Sequence, residues 1–218
     1  MQEIFDSISA ALQAGKAKAV KELVEQALAE NIPAKDILEQ ALLPGMDVIA
    51  VKFKNNEVYV PEVLIAARAM NTGTALLKPY LAESGAKPVG KAVIGTVKGD
   101  LHDIGKNLVR MMFEGKGIEV ADLGVDVSPE RFLESYRSEK PDIVALSALL
   151  TTTMPEMKDI VDAFVAAGVR DQVIIMVGGA PVTDSFRESI GADIYAADAA
   201  SAAEEAKRAI LRKRGERA

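Results

Sequence analysis

Near Gly90 the apolar residues change period, so this chain cannot fold as one uniform layer. From Ile4 to Tyr80 they recur three and four residues apart: Ile4, Ile8 and Leu12, then Val20, Leu23, Val24 and Ala27, then Leu64, Ala67, Met70, Thr74 and Leu77. That spacing lays an apolar stripe along a helix. Breaks at Ala14-Gly15-Lys16, Asn31-Ile32-Pro33 and residues 55–60 carry the glycine, proline or asparagine that ends or begins helices, which predicts four of them. Short connections favour antiparallel neighbours, hence a small bundle. After Gly90, short β-branched runs alternate with amphipathic stretches. Strands are predicted at residues 91–97, 118–123, 142–148, 172–177 and 193–197, and helices at 105–114, 129–140, 155–167, 183–190 and 199–212. Five strands separated by helices imply right-handed crossovers and a parallel sheet covered on both faces. The expected fold is α/β: a four-helix bundle over residues 1–88, then a doubly wound, five-stranded, flavodoxin-like (Rossmann-type) domain over residues 89–218. Residues 82–90 are small and polar, as a linker or hinge would be.

Composition narrows the function classes. With 218 residues, 49% hydrophobic and 27% charged, the chain can bury a core. A net charge of -6 and a pI near 5.0 argue against a nucleic-acid partner, which needs concentrated positive charge. The one basic cluster, Lys207 to Arg217, is interleaved with Glu216 and suits the end of a helix. No apolar run approaches the roughly 20 residues of a membrane span, so no membrane partner is expected. The first residues lack a signal-peptide layout, and the absence of cysteine excludes disulfides and fits a reducing compartment. A cytoplasmic location is expected.

His102 is the only histidine, placed in Lys98-Gly99-Asp100-Leu101-His102-Asp103-Ile104-Gly105-Lys106 between the first predicted strand and the helix after it. In an open α/β sheet, ligands bind outside the carboxyl ends of the strands. A zinc site of the usual nitrogen and sulfur ligands cannot be assembled from one histidine and no cysteine. The loop has neither the G-x-G-x-x-G of a dinucleotide site nor the G-x-x-x-x-G-K-[ST] of a phosphate loop. Asp100, two residues earlier, is close enough to accept a hydrogen bond from one imidazole nitrogen while the other faces a metal.

The string Asp100-Leu101-His102-Asp103-Ile104-Gly105 resembles the D-x-H-x-x-G motif of cobalamin-dependent methyltransferases and mutases. The family's S-x-L element appears as Ser147-Ala148-Leu149 at the end of the third predicted strand, and its paired glycines as Gly178-Gly179 at the end of the fourth. The chain is thus similar to the corrinoid proteins of methanol, methylamine, glycine betaine and methoxy-aromatic methyltransferase systems, and to the cobalamin-binding module of methionine synthase. The resemblance implies a corrinoid bound with its own base displaced, and His102 as the lower axial ligand of cobalt. It also implies that Asp100 holds the distal ring nitrogen and that Thr153 stands where the family has a serine hydrogen-bonded to that aspartate. Ser147 would face the buried nucleotide base, and Gly105, Gly178 and Gly179 would allow close backbone approach. Gly99, Leu101, Asp103, Ile104, Leu149 and Thr151 complete the implied cofactor-binding set. The helical half resembles the family's cap, with Phe53, Val60 and Val63 shielding the upper face of cobalt.

The implied function is a methyl shuttle loaded with cobalamin (methylcobalamin or another corrinoid) and not catalytic alone. Nothing in the chain resembles a substrate barrel, which takes about 250 residues. The expected partners are a substrate-specific methyltransferase, a second methyltransferase that passes the methyl group to a thiol or a tetrahydrofolate-like pterin, and a reductive activase. Two alternatives remain at this point: the cobalamin-binding subunit of a mutase, and a cobalamin-sensing regulator.

Overall fold

The change of period at Gly90 is a change of architecture in the computed structural model, which describes residues 1–83 and 87–215. Contacts divide the chain into two compact units, Met1–Pro88 with Gly115–Gly117, and Val89–Glu114 with Ile118–Ala218.

The first unit is helical: α1 (Gln2–Gln13), α2 (Ala17–Ala29), α3 (Ala34–Ile37), α4 (Leu43–Lys54) and α5 (Val60–Glu83). A π-helical turn, Leu38–Leu42, joins α3 to α4 without a break, so the rods number four, as the spacing predicts. The turn stands just before Pro44. A proline has no N–H and its ring crowds the carbonyl one turn back, and the wider turn, in which the Leu43 N–H reaches Leu38 O, relieves both. The apolar stripe of α5 differs from the expected one by a residue: Val63, Ala66, Ala67, Met70 and Leu77 are buried, while Leu64 and Ile65 are exposed. The predicted linker also starts late, because α5 continues through Glu83; residues 84–86 lie outside the described part.

The second unit is built on β1 (Gly90–Thr96), β2 (Ile118–Asp122), β3 (Ile143–Ser147), β4 (Ile174–Gly178) and β5 (Ile194–Tyr195). They pair in parallel in the order β2-β1-β3-β4-β5. The helices α6 (Ile104–Gly115), α7 (Pro129–Glu139), α8 (Pro155–Ala166), α9 (Asp184–Ile190) and α10 (Ala199–Lys213) alternate with them. Nearly every residue of β1 and β3 is buried, as a strand covered on both faces requires. Val93, Phe132, Val144, Leu146, Phe164 and Ile175 form the centre of the core.

Four predicted strands come out shorter than expected: 118–123, 142–148, 172–177 and 193–197 become Ile118–Asp122, Ile143–Ser147, Ile174–Gly178 and Ile194–Tyr195. Gln172 belongs to a 3-10 turn, Arg170–Gln172, ahead of β4. β5 keeps two residues, and at its entry the Asp193 carboxylate, not a backbone carbonyl, takes the Ile175 N–H at 2.7 Å. Among the described residues no helix is long and apolar enough to cross a membrane.

Candidate functional site

The chain leaves β1 for β2 on one side of the sheet and returns to β3 on the other, so the loops after β1 and β3 diverge and leave a crevice. Register brings the motifs to that crevice: Thr96 pairs with Ser147, and Ser147 with Gly178, in one row at the carboxyl edge. The His102 turn follows Thr96, the segment reaching Thr153 follows Ser147, and Gly179 follows Gly178.

Asp100 is the hub of this edge and is fully buried. Its Oδ1 accepts the His102 backbone N–H at 3.0 Å and the ring Nδ1–H at 2.7 Å. Its Oδ2 accepts the Leu149 N–H at 2.7 Å, the Leu150 N–H at 3.3 Å and the Thr153 hydroxyl at 2.9 Å. One carboxylate therefore ties both loops together across the crevice. Burial by itself would raise its pKa, but the donors from Leu149, His102 and Thr153 outweigh that and hold it well below the usual carboxylate range. The Thr153 oxygen also lies 2.9 Å from Leu150 O; its single proton favours the charged acceptor.

An ionised carboxylate can only accept, so the shared proton sits on His102 Nδ1, and in the neutral ring Nε2 is the nitrogen with the free lone pair. The His102 side chain is 51% exposed, and the Thr96 hydroxyl donates to its carbonyl at 2.9 Å. Around it, Leu101 and Ile104 are 72% and 74% exposed, and Leu149 and Leu150 are exposed too. Among the described residues of this unit, Val165 is the one other large apolar side chain so open to solvent. Apolar side chains gathered in water around one imidazole fit a ligand that is largely apolar and offers a metal to nitrogen. A corrinoid ring meets both requirements. No group of three or more His, Cys, Asp or Glu side chains suited to a metal ion occurs among the described residues.

The other expected residues fall as follows. Gly99 adopts the left-handed φ of +78° at the start of the turn, and Asp103 accepts the Asn107 side-chain amide at 3.0 Å beside the first residues of α6. Gly105 faces open space. Ser147 is half-buried and Thr151 exposed. Gly178 leaves room for a side chain, whereas Gly179, at φ +135°, has no room: a Cβ there would lie 1.9 Å from Ala148 O. The chain's own backbone demands that second glycine. In the helical unit Phe53 and Val60 are half-buried, and Val63 is buried completely.

Sequence reasoning missed the backbone donors of Leu149 and Leu150, which no residue type could signal. It also missed a buried ion pair at the foot of α6. Lys106, 3% exposed, places Nζ 2.5 and 2.6 Å from the two oxygens of Asp122 and 3.2 Å from Asn107 Oδ1. Asp122 Oδ1 accepts the Gly124 N–H at 2.9 Å, and Arg110 lies 3.4 Å from Oδ2. Burial pushes the Asp122 pKa up, and the Lys106 hydrogen bond and charge, with Gly124 and Arg110, bring it below the ordinary value. A signal existed: Lys106 stands two helical turns before buried Phe113 with Arg110 between them on the same face, so charge is aligned with a core residue.

Comparison with known proteins identifies the family. Residues 90–210 match a family model described as a B12 binding domain, and residues 4–78 match a second model so described. Dimethylamine corrinoid protein 3 of Methanosarcina acetivorans is 38% identical over 211 residues, 97% of this chain and 99% of that protein. Trimethylamine corrinoid protein of Methanosarcina barkeri is 42% identical over 192 residues, 87% and 88% of the two chains. A chain in the crystal structure of the methanol:cobalamin methyltransferase complex of Methanosarcina barkeri superposes with a TM-score of 0.86 at 30% identity, over 99% of this chain and 86% of that one. The chain belongs to the B12-binding corrinoid proteins.

Proposed function

We propose that this chain is the methyl-carrying subunit of a methyltransferase system, with His102 as the lower axial ligand of a corrinoid whose own base is displaced. When bound, the corrinoid supplies a cobalt that can accept a methyl group and surrender it to a nucleophile. The observation that carries the reading is the pairing of buried Asp100 with the Nδ1 side of the half-exposed His102 ring, which turns Nε2 of the neutral ring toward exposed apolar side chains.

In this reading each residue has a physical task. Asp100 fixes the tautomer and raises the basicity of the ring. Leu149, Leu150 and Thr153 keep Asp100 ionised and in place. Leu101, Ile104, Leu149 and Leu150 exclude water from the lower face. Ser147, at the end of β3, faces the displaced nucleotide base, and the open Gly105 and Gly178 leave its path clear. The names of the relatives, for dimethylamine and trimethylamine, support a methylated small molecule as donor, and the methanol:cobalamin methyltransferase complex supports a partner enzyme that holds it. A second methyltransferase and a reductive activase complete the cycle.

The test uses protein reconstituted with hydroxocobalamin and reduced. Donor consumption is expected only when a methyltransferase for dimethylamine, trimethylamine or methanol is added. Repeated turnover by the chain alone overturns the carrier role. Identical absorbance spectra for wild type and His102→Ala overturn the axial assignment.

A further inference from the structure

The turn that carries His102 is braced from the loop of the neighbouring edge strand. β1 and β2 pair in register as far as Ile94 and Asp122. Beyond that point Thr96 N–H donates to Gly124 O at 3.0 Å and Val127 N–H donates to Thr96 O at 3.0 Å, with Val97 bridged to Val127. Val125 and Asp126 therefore form an excursion on one side that nothing matches on the other. Two left-handed residues make it, Gly124 at φ +85° and Asp126 at φ +55°. It carries Asp126 to the His102 turn, where Oδ1 accepts the Gly99 N–H at 2.7 Å and the Asp126 N–H donates to Asp100 O at 3.0 Å.

Glycine is the residue best suited to a left-handed φ, and aspartate tolerates it at a cost. An aspartate provides an acceptor that glycine lacks. Its acceptor meets Gly99, a residue itself at positive φ, immediately before the hub carboxylate.

We propose that Asp126 is a positioning residue for His102: it holds the Gly99–Asp100 backbone so that the carboxylate and the imidazole are already paired when the cofactor arrives. The brace stands on its own geometry; its consequence for ligation rests on the axial reading of His102. Asp126 is exposed, so water can replace its hydrogen bond with little loss of global stability. What its removal takes away is order in the turn.

Three variants separate side chain from backbone. Asp126→Asn keeps an acceptor oxygen and tolerance of positive φ, Asp126→Gly keeps only the backbone freedom, and Asp126→Ala keeps neither. In cofactor-free protein, NMR-detected exchange of the Gly99 amide is expected to be slow in wild type and Asp126→Asn, and about 3- to 10-fold faster in Asp126→Gly and Asp126→Ala, the range for one hydrogen bond. After loading with hydroxocobalamin, the histidine-ligated absorbance signature is expected to weaken in those same two variants and to persist in Asp126→Asn, with thermal unfolding of Asp126→Asn and Asp126→Gly close to wild type and that of Asp126→Ala lowered by the strain of its positive φ. Wild-type exchange in Asp126→Gly overturns the brace. Faster exchange with an unchanged spectrum, or loss of the signature in Asp126→Asn, overturns the positioning role. A His102→Ala spectrum identical to wild type places the failure in the axial assignment, and Gly99 exchange alone then decides the proposal.

Discussion

The Asp100 carboxylate and the His102 ring meet at 2.7 Å, and the same carboxylate takes the Leu149 N–H at 2.7 Å from the loop after the next strand of the sheet. The tautomer of the imidazole and the joining of two loops therefore depend on one buried side chain. That coupling sets what substitutions at the site should do.

Asp100→Asn is close in shape but has one acceptor oxygen where the carboxylate has two. Oriented either way, its NH2 group faces donors: the backbone and ring N–H of His102, or the N–H groups of Leu149 and Leu150 with the Thr153 hydroxyl. Each buried donor left without a partner costs about 1–3 kcal/mol. A loss of about 2–4 kcal/mol in urea unfolding is expected, together with a weakened histidine-ligated spectrum after hydroxocobalamin loading. Wild-type stability in this variant would show that the donors find other partners.

Thr153 isolates a single bond of that set. Thr153→Val keeps the branched shape and deletes the hydroxyl, and Thr153→Ser keeps the hydroxyl. A hydrogen bond to a charged group is worth about 1.5–3 kcal/mol, so Thr153→Val should lose that much in denaturant unfolding while Thr153→Ser stays near wild type. Equal losses in both would assign the effect to packing.

These residues show how far the sequence could be read. Asp100, His102 and the row of Thr96, Ser147 and Gly178 follow from strand ends, because parallel strands with short loops bring their carboxyl ends to one edge. Asp126 and Asp122 did not stand out, because an aspartate in a loop is ordinary until its φ and its partner are known. The same holds for Leu64: α5 has apolar residues at both 63 and 64, and only packing decides which begins the buried face. The π turn before Pro44 and the curtailed β5 were equally illegible, since each depends on which backbone groups find partners.

Acid should expose the Lys106–Asp122 pair. The carboxyls of Asp122 and Asp100 are held below the value of 3.8 from which they start. A depressed carboxyl contributes stability that is fully present above its unfolded pKa and is lost as pH falls through its folded pKa. Unfolding free energy measured in urea should thus change little between about pH 7 and pH 5 and fall steeply below about pH 4. Asp122→Asn should make that fall shallower; an unchanged slope would remove Asp122 from the account. Asp122→Ala leaves the Lys106 ammonium buried without its carboxylate and should cost about 3–5 kcal/mol, most of it recovered when Lys106→Met is added.

Two glycines of the site should behave in opposite ways on substitution by alanine. Gly179 sits at φ +135°, and an added Cβ would lie 1.9 Å from Ala148 O, against backbone that cannot yield as a side chain can. Gly179→Ala should therefore destabilise the cofactor-free protein by about 3 kcal/mol or more, through strain combined with displacement of the β3 loop. Gly105 lies in the first turn of α6 with nothing within 4 Å of an added Cβ. Removing the backbone entropy of glycine from a helix gains about 0.5–1 kcal/mol, so Gly105→Ala should leave thermal unfolding of the cofactor-free protein unchanged or raise it slightly. Hydroxocobalamin titrations of the two proteins then distinguish the roles. Under the proposed corrinoid-binding role, in which the displaced base approaches through the open space at Gly105, weaker binding is expected for Gly105→Ala by a protein that folds at least as well as wild type. Unchanged binding would mean that this glycine serves the start of the helix and nothing more.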